Sequence, residues 1–292
     1  MAAIDVEATR WLVLYGAQLH PARQRKVLLG VNPRSSSAVL IPTAWLSWDL
    51  AGVPYIEPCF CSAIVQGYND HEGRSEAVAK GEKEEGEGYR KWVWDRCAPG
   101  KEYRGRMPPH LEGIAYELNP TDFELVAART REMLPTVPTE CVAVRATKFA
   151  EGDSSRPLGE ISEAQLLVAR TAHDAQLQPT RDYFMLVLRG AFFNTLSQPY
   201  LAHLTMLQPF DPSTSRLKSL ARYFLTLSLV PSFVLFFLPA QILRWPAWAR
   251  FGTWLTGTQG VTGAQWLERW VLSRFAGSGW RNDGKSLGGT GI

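Results

Sequence analysis

The sequence predicts an α+β protein in which short buried strands and amphipathic helices share the chain. Short apolar runs at residues 11–15 and 114–118 are typical of buried strands. Residues 181–191 repeat apolar side chains at helical spacing, which indicates a helix. A third feature is the absence of any charged residue from Tyr223 to Leu243. Together these observations predict a mixed globular domain followed by a hydrophobic extension.

The first quarter of the chain alternates apolar runs with turn residues. The run at residues 11–15 is closed by a glycine, and residues 16–30 are expected to form a loop. Residues 39–41 and 45–48 are short apolar runs that predict two further strands. Residues 49–60 contain a glycine and two prolines, which favours an ordered turn over a regular element.

The middle of the chain carries clear start signals for a helix. Asn119 is a suitable N-cap, and Pro120 suits the first turn. The apolar residues that follow at helical spacing, and are therefore expected to face the core, are Phe123, Val126 and Ala127. Residues 140–147 alternate polar and apolar side chains, which predicts another strand.

Two boundaries divide the chain. Residues 67–108 interrupt the pattern, and their centre at 81–87 is rich in glutamate and glycine without an apolar face, which predicts a solvent-exposed insertion. We therefore expect one domain over residues 1–212 that contains this insertion. Residues 213–292 are expected to form a hydrophobic, Trp-rich extension.

Composition excludes several classes of function. The chain has 292 residues, 46% of them hydrophobic, and a net charge of +3. No basic stretch alternates with aromatic residues, so no nucleic-acid partner is expected. Cys59 and Cys61 form a Cys-x-Cys pair, but no second pair of ligands follows at zinc-finger spacing, so buried thiols are expected and no metal site. No signal peptide is visible, which favours an intracellular protein.

The uncharged stretch predicts membrane association. Its 21 residues from Tyr223 to Leu243 match the thickness of a bilayer core. Arginines precede and follow it, and tryptophans come after it, as at a membrane interface. A membrane span or hairpin is expected; an interfacial helix and a helix packed on the domain are the alternatives.

Three segments carry a family signature. Residues 11–19 read Trp-Leu-Val-Leu-Tyr-Gly-Ala-Gln-Leu, residues 113–120 read Gly-Ile-Ala-Tyr-Glu-Leu-Asn-Pro, and residues 48–58 read Trp-Asp-Leu-Ala-Gly-Val-Pro-Tyr-Ile-Glu-Pro. They resemble the Tyr-Gly-Ser-Asn-Leu loop and the Gly-Val-x-Tyr strand of the gamma-glutamyl cyclotransferase-like family, and a Phe-Asp-x-x-Gly-x-Pro-Tyr-x-Glu-Pro segment of its fungal members. The resemblance covers roughly residues 11–210, and fungal members often carry a hydrophobic C-terminal extension.

The resemblance implies a mixed β-barrel surrounded by helices, with a small-molecule substrate in its cavity. In the family, the loop offers backbone N–H groups to a gamma-glutamyl substrate. A glutamate removes a proton from the alpha-amine, which attacks the side-chain carbonyl and releases 5-oxoproline. The family uses neither metal nor cofactor, so none is implied. Its rate enhancement comes from proximity and from one general base, which is typically worth about 10²–10⁴-fold.

The same resemblance places the catalytic positions at Tyr15, Gln18 and Thr130. Thr130 stands where the family has its glutamate, counted from Gly113, and a hydroxyl cannot act as a base near neutral pH. The family's serine is replaced by Ala17, and its asparagine by Gln18. The expected substrate-binding residues are Gly16, Ala17, Leu19, Tyr55, Glu57 and Glu132.

Two carboxylates are candidates to replace the missing base. Glu132 reaches the cavity only if the helix end is shifted, because two positions turn a regular helix by about 200°. Glu57 either borders the cavity as a base or is a buried carboxylate that holds its turn.

Three functions remain open at this point. The first is a repurposed, cofactor-independent cyclase of fungal secondary metabolism that closes a ring, by cycloaddition among other routes, in a lipophilic substrate. The second is a gamma-glutamyl cyclotransferase that releases 5-oxoproline from a glutathione-derived conjugate. The third is a non-catalytic binding protein with a decayed site. Ring closure without a base is physically reasonable, because conformational restriction and hydrogen bonds to a carbonyl accelerate it.

Overall fold

The fold combines a closed barrel, a two-stranded sheet and surrounding helices. The computed structural model describes residues 9–53, 56–68, 86–132, 138–150, 152–169, 177–211 and 216–232. The strands within these ranges are β1 (Arg10–Leu14), β2 (Ser35–Ile41), β3 (Ala44–Val53), β4 (Glu57–Val65), β5 (Leu111–Leu118), β6 (Thr139–Ala150) and β7 (Asp153–Ala169). The α-helices there are α1 (Pro21–Val27), α2 (Glu87–Cys97), α3 (Pro120–Glu132), α4 (Arg181–Phe193), α5 (Gln198–Thr205) and α6 (Arg216–Ser232).

The barrel has the strand order β1-β5-β2-β6-β7 and closes where β7 meets β1. β1 runs antiparallel to β5 and parallel to β7, so the barrel is mixed. β2 lies antiparallel to both β5 and β6, and β6 and β7 form a long antiparallel hairpin. The mixed barrel that the resemblance implied is therefore confirmed, with five strands in its wall.

The β1–β5 contact needs a glycine at one point. A Cβ at Gly113 would lie 2.5 Å from the carbonyl oxygen of Leu14, closer than any real Cβ contact. The Gly in the family-like strand signature therefore lets the two backbones approach. The largest fully buried aliphatic side chains contributed by the barrel strands are Leu12, Leu14, Ile41, Leu111 and Leu118.

The hairpin of β3 and β4 differs from the sequence expectation. Residues 49–53 and 57–60 belong to strands instead of an ordered turn, and the register shifts between Ser47 and Leu50. The bulge lets the hairpin bend without losing its pairing, which composition alone does not reveal. Pro54 and Tyr55 lie outside the described residues.

Helix α2 corrects the predicted insertion in part. Tyr89, Trp92 and Val93 are buried on it and pack with Trp45 and Ile64 of the β3–β4 sheet. The expectation of solvent exposure is therefore wrong for residues 87–97. The residues of the insertion from 69 to 85 lie outside the described part of the chain.

The predicted helix start at Asn119 is confirmed, and two further helices have caps that were not predicted. The Asn119 side chain accepts a hydrogen bond from the Asp122 backbone at 2.8 Å. Thr180 caps α4 by accepting from Tyr183 N–H, and Ser197 caps α5 by accepting from Tyr200 N–H. Each cap satisfies one of the backbone donors that a helix leaves unpaired at its first turn.

The expected loop over residues 16–30 is mostly helical. A 3₁₀ turn spans Gly16–Leu19, and α1 follows directly. His20 caps α1 by accepting from Ala22 N–H at 3.4 Å. The segment is too short and too polar for its apolar pattern to predict a helix. The buried face of α1 consists of Gln24 and Val27.

Helix α6 is the described part of the hydrophobic extension. It packs Ala221 and Leu225 in a small cluster with Phe210, against which Val53 and Ile56 also lie. Among the helices in the described ranges, none is both long enough and apolar enough to cross a membrane. The predicted span from Tyr223 to Leu243 lies in the described part of the chain only as far as residue 232.

A buried carboxyl group ties α5 to the barrel. Glu112 on β5 is 2% exposed and accepts from both the backbone N–H and the hydroxyl of Ser197, at 2.8 and 2.5 Å. Burial raises the pKa of Glu112, against the hydrogen bonds from Ser197, which lower it. The N-terminus of α5 is thus anchored through a single side chain.

We expect Glu112→Ala to destabilise the protein by about 2–4 kcal/mol, because it leaves two buried donors of Ser197 without their acceptor. Glu117→Ala is the matched control on the same strand, since Glu117 accepts from Thr9 and Ser35 near the surface. Urea unfolding followed by circular dichroism measures both. Equal destabilisation by the two substitutions would contradict the anchoring role of Glu112.

Candidate functional site

The predicted loop forms a tight, self-contained turn at the end of β1. Tyr15 N–H donates to the side-chain oxygen of Gln18 at 3.4 Å, and Gln18 N–H donates to the carbonyl of Tyr15 at 3.2 Å. The Tyr15 hydroxyl donates to the carbonyl of Leu167 on β7 at 2.6 Å. All five residues from Tyr15 to Leu19 are buried. The turn is therefore pinned to the barrel wall by its own polar groups.

Gly16 is the point of closest approach within this turn. Its φ of +56° lies in the left-handed region, and a Cβ there would lie 2.5 Å from Cys61 Sγ on β4. Cys61 Sγ in turn lies 3.3 Å from the hydroxyl of Tyr183 on α4. A glycine is thus required for two separate reasons, conformation and space.

Helix α4 covers the turn from the other side. A Cβ at Gly190 would lie 2.7 Å from the backbone nitrogen of His20, so the helix axis lies close to the turn. Asn194 donates to the carbonyl of Leu19 at 2.9 Å and accepts from Gln24 at 2.9 Å. Gln24 also donates to the Tyr116 hydroxyl at 3.1 Å. A connected network of amides and hydroxyls therefore holds α1, α4 and the turn together.

Tyr183 is the centre of an aromatic cluster beside the turn. Its ring lies edge-on to Phe60 and to Trp48, with centroids 5.2 and 6.4 Å away. The guanidinium of Arg23 lies 5.6 Å from the same ring. The cluster is apolar and largely buried, with Trp48 0% and Tyr183 5% exposed, and the Arg23 cation lies beside it.

Tyr15, Cys61 and Tyr183, the hydroxyl and thiol groups at the turn, are neutral at physiological pH. Burial raises the pKa of Tyr15 and of Tyr183, and it raises the pKa of the Cys61 thiol against the hydrogen bonds with Tyr183 and the Ala17 backbone, which lower it. A protonated hydroxyl or thiol donates hydrogen bonds but removes no proton. These three groups can therefore polarise a carbonyl, and none of them acts as a base near pH 7.

Thr130 is buried on α3, where the resemblance expects the catalytic glutamate. It is 1% exposed, and its hydroxyl donates to the carbonyl of Val126 at 2.7 Å within the same helix. Nearby, Arg129 donates to the carbonyls of Val27 and Leu29 at the end of α1. The Thr130 side chain is thus occupied by its own helix, and a hydroxyl has no basic form near pH 7.

The two substitute carboxylates lie in different surroundings. Glu132 is the last residue of α3 and is exposed. Glu57 begins β4 and accepts from the backbone N–H of Thr180 at 3.0 Å and from the Thr180 hydroxyl. Burial raises the pKa of Glu57 to about 7, against the hydrogen bonds from Thr180, which lower it. Glu57 therefore holds the N-terminus of α4, and it titrates near neutral pH.

Residues 15–19 form one buried unit at the end of β1. Thr130 and Glu132 lie on α3, and Glu57 begins β4. Tyr55 is outside the described residues. A groove of about 750 Å³ lies elsewhere, between α3 and the β1, β6 and β7 strands, and it contains none of the expected site residues.

Three residues that contact the turn were not expected from the sequence. Cys61 was interpreted only as a buried thiol and Tyr183 only as part of a helix, and Asn194 lies beyond the helix expected at residues 181–191. Their contacts with the turn depend on how β4 and α4 pack, and no local signal carries that information. Within the described ranges, no group of three or more His, Cys, Asp or Glu side chains is placed to hold a metal ion.

Comparison with known proteins gives one similar curated sequence. Gamma-glutamyl cyclotransferase gliK of Aspergillus fumigatus is 25% identical over 206 residues, and the match covers 70% of this chain and 64% of gliK. The chain therefore spans less than two thirds of that relative's length. No protein-family model matches the chain. The gliK match supports the resemblance to gamma-glutamyl cyclotransferase-like proteins that the three sequence segments indicated.

Solved structures with a similar fold are distant in sequence. The human uncharacterized protein loc79017 matches with a TM-score of 0.43 at 11% identity, over 70% of this chain and 90% of that one. A gamma-glutamyl cyclotransferase matches with a TM-score of 0.42 at 11% identity, over the same shares of the two chains. A yeast gamma-glutamyl cyclotransferase specific to glutathione matches with a TM-score of 0.39 at 9% identity, over 68% and 96%.

The close approach of Gly16 to Cys61 can be tested by substitution. We expect Gly16→Ala to destabilise the protein by about 2–4 kcal/mol, because it adds left-handed strain of about 1–2 kcal/mol to a clash with Cys61 Sγ. Chemical unfolding measures the effect. In a double-mutant cycle with Cys61→Gly, which removes the sulfur atom, the clash should disappear and only the strain should remain. Strict additivity of the two substitutions would contradict the contact.

The raised pKa of Glu57 predicts that the free energy of unfolding depends on pH. A carboxyl whose pKa rises on folding stabilises the fold below its unfolded value near 4.5, and this contribution is lost as the pH rises through about 7. We expect the free energy of unfolding of the unmodified protein to fall by up to about 3 kcal/mol relative to Glu57→Gln between pH 5 and pH 8. Thermal unfolding across this range measures the difference. Parallel pH profiles for the two proteins would show that Glu57 does not titrate there.

Proposed function

We propose, from the similarity to the gamma-glutamyl cyclotransferase-like family, that this chain is a cofactor-independent cyclase that closes a ring without the family's glutamate base. The main support for this proposal is the side chain at position 130, which is a threonine. Thr130 is buried and hydrogen-bonded to Val126, and a turn spans Gly16–Leu19, where the resemblance places the substrate loop. A hydroxyl at position 130 provides no proton acceptor near pH 7.

The groups around the turn support hydrogen-bond catalysis. Tyr15, Cys61 and Tyr183 are protonated, so each has a hydrogen that a substrate carbonyl can accept when its present partner is displaced. Such donors stabilise charge that develops on oxygen during ring closure. The aromatic cluster around Tyr183 favours an apolar substrate held in a folded conformation. Cycloaddition belongs to this class of reaction because it needs neither base nor nucleophile.

A substrate gains access to the turn only by displacing protein contacts. The described residues of β4 and α4 cover it, with Cys61 and Gly190 as the closest neighbours. A lipophilic molecule offsets that cost by burying its own apolar surface against the Tyr183 cluster. The proposed biological setting is fungal secondary metabolism, in a membrane-associated, intracellular location that gives access to lipophilic molecules.

Two other functions each have one observation in their favour. A gamma-glutamyl cyclotransferase is favoured by the raised pKa of Glu57, since a general base is most effective when its pKa lies near the working pH. A non-catalytic binding protein is favoured by the turn itself, whose Tyr15 and Gln18 side chains are already paired within the protein. The first of these requires Glu57 to leave Thr180.

We expect the purified protein to release 5-oxoproline from gamma-glutamyl substrates, glutathione conjugates included, only at the background rate. Chromatographic detection of 5-oxoproline measures this, with gliK assayed alongside as the reference protein. Thr130→Glu should not restore the activity, because Ala17 and Gln18 also depart from the family loop. Robust release that Glu57→Gln abolishes would overturn the proposal in favour of a gamma-glutamyl cyclotransferase.

The same prediction extends to the natural substrate. Deletion of the gene in its source organism should cause an uncyclised precursor to accumulate in the metabolite profile. Tyr15→Phe and Gln18→Ala should restore the cyclised product poorly, since each removes a group worth about 1–3 kcal/mol when buried. Glu132→Gln, at an exposed position, should restore it fully. An unchanged metabolite profile after deletion would favour the non-catalytic binding protein.

A further inference from the structure

Helix α6 presents an apolar face that the rest of the described structure leaves uncovered. We call it the outer face of α6, and its members are 53–73% exposed: Leu217, Leu220, Tyr223, Phe224 and Leu227. At about 100° per residue these five side chains occupy one arc about 120° wide. Large apolar side chains gathered on one arc of a helix mark an interaction surface.

The opposite face fixes the orientation of the helix. Ala221 and Leu225 are 4% and 1% exposed and pack with Phe210. Lys218 is also buried, with its ammonium 5.5 Å from the centroid of the Phe210 ring. The outer face is therefore turned away from the domain because the inner face is already occupied.

A polar strip separates the two apolar faces on one side of the helix. Arg222 and Thr226 lie on it, and both are exposed. Arg216, the first residue of α6, is a second exposed cation, and at about 100° per residue it falls on the same arc as the outer face. The sequence has no acidic residue between Asp211 and Glu268, so no carboxylate from this stretch neutralises these cations.

We propose that the outer face of α6 lies in the interfacial region of an anionic lipid bilayer, with the helix axis parallel to the membrane plane. Apolar side chains on one arc, arginines beside them and no acidic residue are the features of a helix that binds at a lipid surface. A second copy of the chain fits less well, because Arg216 and Arg222 would find no carboxylate on the same stretch of the partner. This inference concerns attachment and stands independently of the ring-closure chemistry.

Flotation of the full-length protein with lipid vesicles tests the proposal. Vesicles of phosphatidylcholine with phosphatidylserine should bind the protein more tightly than vesicles of phosphatidylcholine alone. Leu220→Gln combined with Phe224→Gln should weaken binding about tenfold or more, because both side chains would lose their place in the acyl region. Thr226→Gln is the matched control on the polar strip of the same helix, and it should bind as the unmodified protein does.

A charge variant separates the electrostatic from the hydrophobic contribution. Arg222→Gln should weaken binding about fivefold on vesicles with phosphatidylserine and leave binding to pure phosphatidylcholine unchanged. The substituted side chains are exposed, so circular dichroism should be the same for all variants. This comparison distinguishes attraction to anionic headgroups from burial of the apolar face.

Three results would overturn the proposal. The first is the absence of vesicle binding by the full-length protein. The second is vesicle binding that the Leu220→Gln, Phe224→Gln double variant leaves unchanged. The third is self-association in the absence of lipid that this double variant abolishes, which would identify a second copy of the chain as the occupant of the outer face.

Discussion

The contact between the turn at Gly16–Leu19 and its covering elements is the constraint on which the other features depend. Gly16 faces Cys61 on β4, and Gly190 on α4 faces the backbone of Leu19 and His20. Each contact leaves no space for a Cβ. The barrel, the β3–β4 sheet and α4 therefore meet at one turn. A shift of any of them would break the contacts that the other two make with this turn.

Two carboxyl groups hold the N-termini of α4 and α5. Glu57 accepts from the N-cap of α4, and Glu112 accepts from the N-cap of α5. A carboxyl group in such a position satisfies donors that the helix cannot pair itself, and as an anion it also interacts favourably with the positive end of the helix. Burial opposes this by raising the pKa of both groups. Tyr183 lies in the first helical turn of α4. Its position beside Gly16–Leu19 therefore depends on Glu57, which accepts hydrogen bonds from Thr180 at the start of that helix.

The same burial limits the chemistry that the site can perform. A low-polarity environment favours the neutral form of each hydroxyl and thiol near the turn, so hydrogen-bond donation remains while proton abstraction does not. At position 130, where the resemblance expects a glutamate, the Thr130 hydroxyl donates to the carbonyl of Val126 in its own helix.

Much of the fold was accessible from the sequence. Local apolar runs predicted the strands at residues 11–15 and 114–118, and cap residues predicted the start of α3. The extent of β3 and β4 was not predicted, because the residue types at a β-bulge and in a turn are similar and one sequence does not distinguish them. Nor was β7, whose first half is exposed and lacks an apolar pattern. Helix α2 was hidden in a charged region, although its buried aromatic residues stabilise the β3–β4 sheet.

Local signals in the sequence were enough to predict strand runs, the cap of α3 and the family-like turn with its altered residues. The groups that surround that turn come together only in the folded chain. Cys61, Tyr183 and Asn194 are distant from it in sequence, and they reach it through the packing of β4 and α4. Tertiary packing also leaves the outer face of α6 uncovered by the part of the chain that the structure describes. The physical reason is that periodicity reports which residues share a face, whereas the partner of that face is set by contacts between distant parts of the chain.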